Sequence, residues 1–248
     1  LTQFAIQLLK KEARILTDQI ASDPKGNISR HYKCRQLNGY CLTGRGGTRI
    51  FDLAEKKFKE LDLSFDDAVQ HLPDVMRDSL HEYALELMGG EAPEGYSLAE
   101  LIELFKEKDK TAFQFLNTEG FLVGYSEKHK CFGVASVWSY RNNFELSETY
   151  KPGFMFLMQI EPVKQYARQL GRKPESKKEM AEALRRVYQA EKKLHKDQLV
   201  IGGGDIDCTI IKKDGITVEN LGPLEKSNVI AFKGKNNGKK NRRKKKVR

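Results

Sequence analysis

Asp205 and Asp207 stand at i and i+2 behind the glycine run Gly202-Gly203-Gly204. On a strand that spacing puts two carboxylates on one face, where they could hold a divalent metal for cleavage or nucleotidyl transfer. The Asp214-Gly215 dipeptide downstream is a hairpin signal. A two-residue loop there pairs Lys213 with Ile216, Ile211 with Val218 and Ile210 with Glu219, so Asp205 and Asp207 share the face of Ile211 while Glu219 falls on the other. The nearest third carboxylate thus points away, and a metal-dependent nucleic-acid-processing enzyme using Asp205 and Asp207 is the alternative reading, not the leading one. A Gly-rich strand start with solvated aspartates fits the same residues. Zinc would draw on His31, Cys34, Cys41, His129 and Cys131. Six residues separate Cys34 from Cys41, whereas paired zinc cysteines usually lie two to four apart. No cofactor is expected.

A second chemical candidate is Thr43-Gly44-Arg45-Gly46-Gly47-Thr48-Arg49, which leads into an apolar helical pattern. Three glycines let backbone amides turn inward, and Arg45 and Arg49 add full charges, so a phosphate could sit there. The run lacks the lysine and spacing of a Walker A loop, and a flexible helix start explains it as well.

Charge location carries most of the functional reading. The formal charge of +10 comes from 44 basic and 34 acidic residues. Lys233, Lys235, Lys239, Lys240, Arg242, Arg243, Lys244, Lys245, Lys246 and Arg248 account for the whole excess, with no acid among them. Such a run repels itself and has little apolar surface to bury, so a disordered tail that meets a polyanion is expected. Nucleic acid is the commonest such partner, and counterion release would make binding tight, unspecific and salt-dependent. Residues 1–50 carry nine basic and three acidic groups, including Arg30, Lys33, Arg35, Arg45 and Arg49, while residues 51–104 carry four basic and fourteen acidic.

Within the body, a helix from Ser176 is the strongest binding candidate. Ser176 and Glu179 form a capping box, and Met180, Leu184, Val187 and Leu194 mark a buried stripe. Lys177, Lys178, Arg185, Arg186, Lys192 and Lys193 then gather on the other half, a stripe able to follow a phosphate backbone or simply a solvated face. The run from Gln169 to Leu184 resembles the helix–turn–helix-like segments of bacterial sigma factors, over about twenty residues; the resemblance implies a turn type and no membership. Cys41 to Arg45 is similar to part of a small-subunit ribosomal protein motif whose continuation is missing, so nothing follows from it.

These residues need elements to carry them. Ile6, Leu9, Ala13, Leu16 and Ile20 recur at three- and four-residue spacing and predict a helix over 1–21. The stretch 23–49 reads as irregular. Further helices are expected from about Asp52, from Pro73 to Gly89, and over 98–108 behind the Ser97–Glu100 capping box. Beyond Lys110 the period becomes 2, with a hairpin through Asn117–Gly120, an almost uncharged strand over 131–140, and an apolar strand over 154–160. Helices over 163–170 and from Ser176, short strands near 199–201 and over 206–213, the 216–221 return and a last strand near 229–232 complete the pattern.

The expected architecture is α+β: a helical region 1–109, a mostly antiparallel sheet with inserted helices over 110–232, and a disordered basic tail 233–248. The leading function is a non-enzymatic RNA- or DNA-binding component of a nucleoprotein assembly, working alongside other proteins, with the tail supplying affinity and the 176–196 helix and the 30–49 stretch positioning the backbone. A third reading is a protein-interaction module with an import or tethering tail. No membrane span is expected, and an intracellular place follows, nuclear in a eukaryotic or viral setting.

Overall fold

The computed structural model describes residues 4–22, 28–89, 95–139, 143–157, 161–194 and 203–225. Two five-stranded antiparallel sheets lie face to face. The first takes β1 (Phe4–Leu8), β2 (Ala13–Asp18), β10 (Met155–Phe156), β11 (Asp205–Lys212) and β12 (Gly215–Pro223) in the order β10-β1-β2-β11-β12. The second takes β5 (Arg35–Gln36), β6 (Tyr40–Arg45), β7 (Glu119–Ser126), β8 (Cys131–Trp138) and β9 (Ser147–Thr149) in that order. A small hairpin, β3 (Ile20–Ser22) with β4 (Ile28–Arg30), joins them. Helices α1 (Thr48–Leu61), α2 (Phe65–Leu87), α3 (Leu98–Lys108) and α4 (Lys110–Leu116) cover the second sheet; α5 (Glu161–Leu170) and α6 (Lys177–Leu194) cover the first. The result is a four-layer helix–sheet–sheet–helix sandwich. Both sheets combine strands from before and after residue 110.

The mixed α+β class expected from the sequence is present, but the N-terminal half is not helical. Residues 4–18 form the β1–β2 hairpin, with Ile6 opposite Ile15. Phe4, Ile6 and Leu8 enter the core between the sheets, while Ala5 packs on the helical side. A strand covered on both faces loses its period-2 signature and reads as a continuous apolar run. Lys10 and Lys11 mark the turn, closed by Leu9 N donating to Glu12 O at 2.9 Å. The 23–49 stretch likewise supplies strands.

Helix α2 starts at Phe65, not at Pro73. Ser64 caps it, accepting from Asp67 N, and Pro73 lies inside. An interior proline costs about 3 kcal/mol, and burial of Leu72, Val75, Met76 and Leu80 outweighs it at about 1.5–3 kcal/mol each. The capping box at Ser97 and Glu100 is present as expected. Phe113 and Phe115 belong to α4, so the expected 117–120 hairpin is absent; β7 and β8 turn instead between Ser126 and Cys131. Strand β8 runs as read, with Phe132 and Val134 between the sheets and Ala135 and Val137 under the helices. The expected strands near 199–201 and 229–232 and the tail 233–248 lie outside the described residues.

Candidate active site

One end of the sandwich brings a lysine from the second sheet's side onto an aspartate of the first. Asp18 closes β2, wholly buried. Lys33, in the segment leading to β5, donates from Nζ to Asp18 Oδ2 at 2.8 Å, and its side chain is 8% exposed. Gly203 N donates to the same oxygen at 3.1 Å. Gly203 O in turn accepts from the amides of Gln19 and Ile20, so Gly203, ahead of β11, is tied to Asp18 and to the two residues that follow it. Thr43 on β6 donates its hydroxyl to Lys33 O at 3.3 Å, fixing the lysine's backbone.

Burial holds the Lys33 amine below its ordinary range. The Asp18 carboxylate opposes this, and the nearby Arg35 guanidinium adds to it. A lysine of this kind is a proton acceptor where an exposed one is not. The strand register brings β1 to the same place. Phe4 pairs with Thr17, so the chain passes into β1 beside the residue that precedes Asp18. Across the gap, Arg45 donates from Nε to Glu119 Oε2 at 2.8 Å and its guanidinium lies 5.5 Å from the centre of the Phe4 ring. His31, Tyr32 and Arg35 flank Lys33 and, with Asp52, Glu55 and Lys59 of α1, line a shallow depression of about 450 Å³. Burial pushes the Tyr32 phenol up to about 12, and its hydroxyl lies 2.7 Å from Thr209 Oγ1.

The cations of the 30–49 stretch do not form a phosphate surface. Arg30 is exposed on β4. Lys33 is the buried partner of Asp18, and Arg35 is bonded to Asp52 at 2.7 Å with Glu55 at 3.4 Å. Arg45 holds Glu119, and Arg49 holds Glu86 at 2.6 Å. Gly47 N in the glycine loop donates to Phe115 O. Four of these five positive charges, all but Arg30, answer a carboxylate that the fold brings in from a distant part of the chain, which the sequence could not reveal.

Helix α6 is not a free basic face either. Arg185 is buried and donates to the carbonyls of Pro223 and Leu221 at 2.9 and 2.8 Å. Arg186 bonds Glu182 and lies 4.4 Å over the Tyr166 ring. Lys177 pairs with Glu219, and Lys192 with Glu225. Lys178 and Lys193 are exposed. The reason is that α6 is enclosed on more than its apolar stripe, with Glu182 and Arg185 buried beside Met180 and Leu184.

Asp205 and Asp207 sit near the same end of the first sheet, bound by amides. Gln19 Nε2 donates to both Asp207 oxygens at 3.0 Å, and Asn220 Nδ2 to Asp205 Oδ2 at 3.0 Å. The hairpin turns at Lys213-Asp214, pairing Ile211 with Ile216 and Cys208 with Glu219. This differs from the expected register, yet still leaves Glu219 opposite an even-numbered residue, away from the aspartates. Among the described residues no three His, Cys, Asp or Glu side chains gather to hold a metal. Cys34 and Cys41 are buried between the sheets, and the Cys41 thiol is held up by a hydrogen bond with Cys34 and by burial. No helix among the described residues is long and apolar enough to cross a membrane.

Solved structures share this four-layer fold. Among them are Anbu proteins. The Gly-1 mutant of Anbu from Hyphomicrobium sp. strain MC1 superposes with a TM-score of 0.52 at 14% identity, over 89% of this chain and 88% of that one. Anbu from the same strain in a C2 form gives 0.51 at 13%, over 88% and 87%. Anbu (ancestral beta-subunit) from Yersinia bercovieri gives 0.50 at 12%, over 91% and 88%. At such identities the likeness is one of fold. No protein-family model and no curated protein sequence matches the chain. The expectation of a non-enzymatic nucleic-acid-binding protein, with its RNA, DNA and nucleoprotein roles, is overturned by this fold.

Proposed function

We propose that this chain is an amide hydrolase in which the Lys33 amine takes the proton of a hydroxyl from the residues that precede β1. The observation that supports it is the buried Lys33–Asp18 pair, placed where β1 begins. A desolvated lysine activates a hydroxyl by accepting its proton, and the aspartate holds the amine in place. Residues 1–3 lie outside the described residues, and among them Thr2 alone carries a hydroxyl. In this reading Thr2 Oγ attacks the carbonyl carbon of an amide, and its proton passes to Lys33 Nζ and then to the departing amine. Water, deprotonated by the same lysine, releases the acid from the resulting ester.

The proteasome-related fold of the Anbu structures raises the prior for this chemistry by analogy only. The test is turnover of fluorogenic peptide amides together with capture of an acyl adduct by mass spectrometry. Thr2→Ala leaves the ion pair intact and should abolish both. Hydrolysis that persists in the folded Thr2→Ala protein, or the lack of any adduct or turnover in the unaltered chain, overturns the reading.

A further inference from the structure

The outer surface of α2 is acidic along one line. Asp67, Asp74, Asp78 and Glu82, with His71 between them, follow each other at three-, four- and seven-residue spacing and share one side of the helix, all but His71 being acids. All five are exposed. Arg77 is the only Lys or Arg in Phe65–Leu87. It answers Asp74 at 2.7 Å, and Lys57 of α1 answers Glu82 at 3.1 Å. Both are exposed single pairs of the kind that contributes little, and the stripe keeps a negative excess.

The chain also contains a segment of the opposite sign. Residues 233–248 hold ten Lys and Arg and no acid. From Asp67 to Glu82 the stripe runs about 22 Å at the helical rise of ~1.5 Å per residue. The densest part of the tail, Lys239 to Lys246, would span about 23 Å if extended at ~3.3 Å per residue. Charge and length therefore match.

The described chain ends on the face opposite the stripe. Described residues end at Glu225, which accepts from Tyr188 of α6, and Leu224 is buried against the α5–α6 layer. The acidic stripe belongs to the helices over the other sheet. A surface on one side of a molecule, met by a segment that follows from the opposite side of another copy, is a heterologous contact that links copies in series. We propose that residues 233–248 of one copy dock along the α2 stripe of a second copy, joining copies of this chain head to tail. The contact is electrostatic and exposed, so it weakens with salt. It stands apart from the hydrolase reading, since no residue of the Lys33 site takes part.

Two variants test it. A donor carries Asp67→Lys, Asp74→Lys and Asp78→Lys with the tail intact; an acceptor keeps α2 and lacks 233–248, a deletion that removes no described residue. Sedimentation velocity at an ionic strength of about 0.05 M should show each variant alone as a monomer and their equimolar mixture as a dimer, while circular dichroism matches the full chain. Raising the ionic strength to about 0.5 M should weaken the mixed dimer at least about tenfold. A mixture that stays monomeric overturns the proposal. So does a full chain that remains monomeric at low ionic strength with its tail bound in cis, or an acceptor that self-associates as the full chain does.

Discussion

Lys33 Nζ lies 2.8 Å from Asp18 Oδ2, and the bond joins the segment that leads into β5 of the second sheet to the end of β2 in the first. Both are buried, so neither can be satisfied by water when the other is removed. Removing one partner of a buried pair costs about 3–5 kcal/mol because a desolvated charge is left behind, whereas replacing both with isosteric neutral groups costs far less. Lys33→Met is therefore expected to lower stability by that amount in urea denaturation, and Lys33→Met combined with Asp18→Asn to recover most of it. Additive losses in the double variant would show that the pair is not the coupled unit described.

The pH dependence of the same lysine has a definite sign. Burial holds its folded-state value below the ordinary 10.5, with Asp18 opposing and Arg35 assisting. In the window between that lowered value and 10.5 the unfolded chain binds a proton that the folded chain has released, so stability from this group grows as pH rises through the window and is lost as pH falls through it. Under the hydrolase reading turnover follows the free amine and rises in the same direction. A pH–rate profile should show a limb below 10.5. Lys33→Arg, which stays charged, should remove the activity and not merely move the limb.

How far the sequence disclosed this arrangement varies with the range of the interactions involved. The Ser97–Glu100 and Ser176–Glu179 capping boxes depend on neighbours three residues apart, and both form. The β8 alternation was readable because its two faces differ in residue size. The first hairpin was not, because Phe4–Leu8 is buried on both faces and carries no period to distinguish strand from helix. Lys33 was legible only as a positive charge; its meaning rests on Asp18, fifteen residues away at the end of β2. Asp18 itself gave one weak sign, a lone acid closing the run Ile15-Leu16-Thr17. The likeness to the Anbu structures is one of fold, at 12–14% identity.

Arg185 looks from its spacing like one of several interchangeable surface cations on α6, and the fold makes it the exception. Its guanidinium bonds the carbonyls of Leu221 and Pro223 at the end of β12, and it is 7% exposed. Loss of two charge-assisted bonds from a buried guanidinium costs about 1.5–3 kcal/mol. Arg185→Gln should lower the melting temperature by several degrees, while Lys193→Gln, at an exposed position, should leave it unchanged. Equal melting curves would mean that α6 does not clamp the β12 end.

Gly44 offers a test of how closely β6 is pressed against its neighbours. It pairs with Gly120 on β7, and a methyl group at its Cα would lie 1.9 Å from Glu119 O and 2.8 Å from the Phe51 ring. The first of these is backbone and cannot swing aside. Gly44→Ala must then push β6 away from β7 where Arg45 grips Glu119. The expected cost is about 3 kcal/mol or more, the upper range for overpacking a filled interior. Gly39 serves as the comparison, since a methyl there meets nothing within 4 Å and only its φ of +78° is unfavourable. Gly39→Ala should cost about 1 kcal/mol. Urea denaturation of the two variants should therefore separate them clearly, with Gly44→Ala much the weaker; equal midpoints would mean that the β6–β7 contact yields without loss.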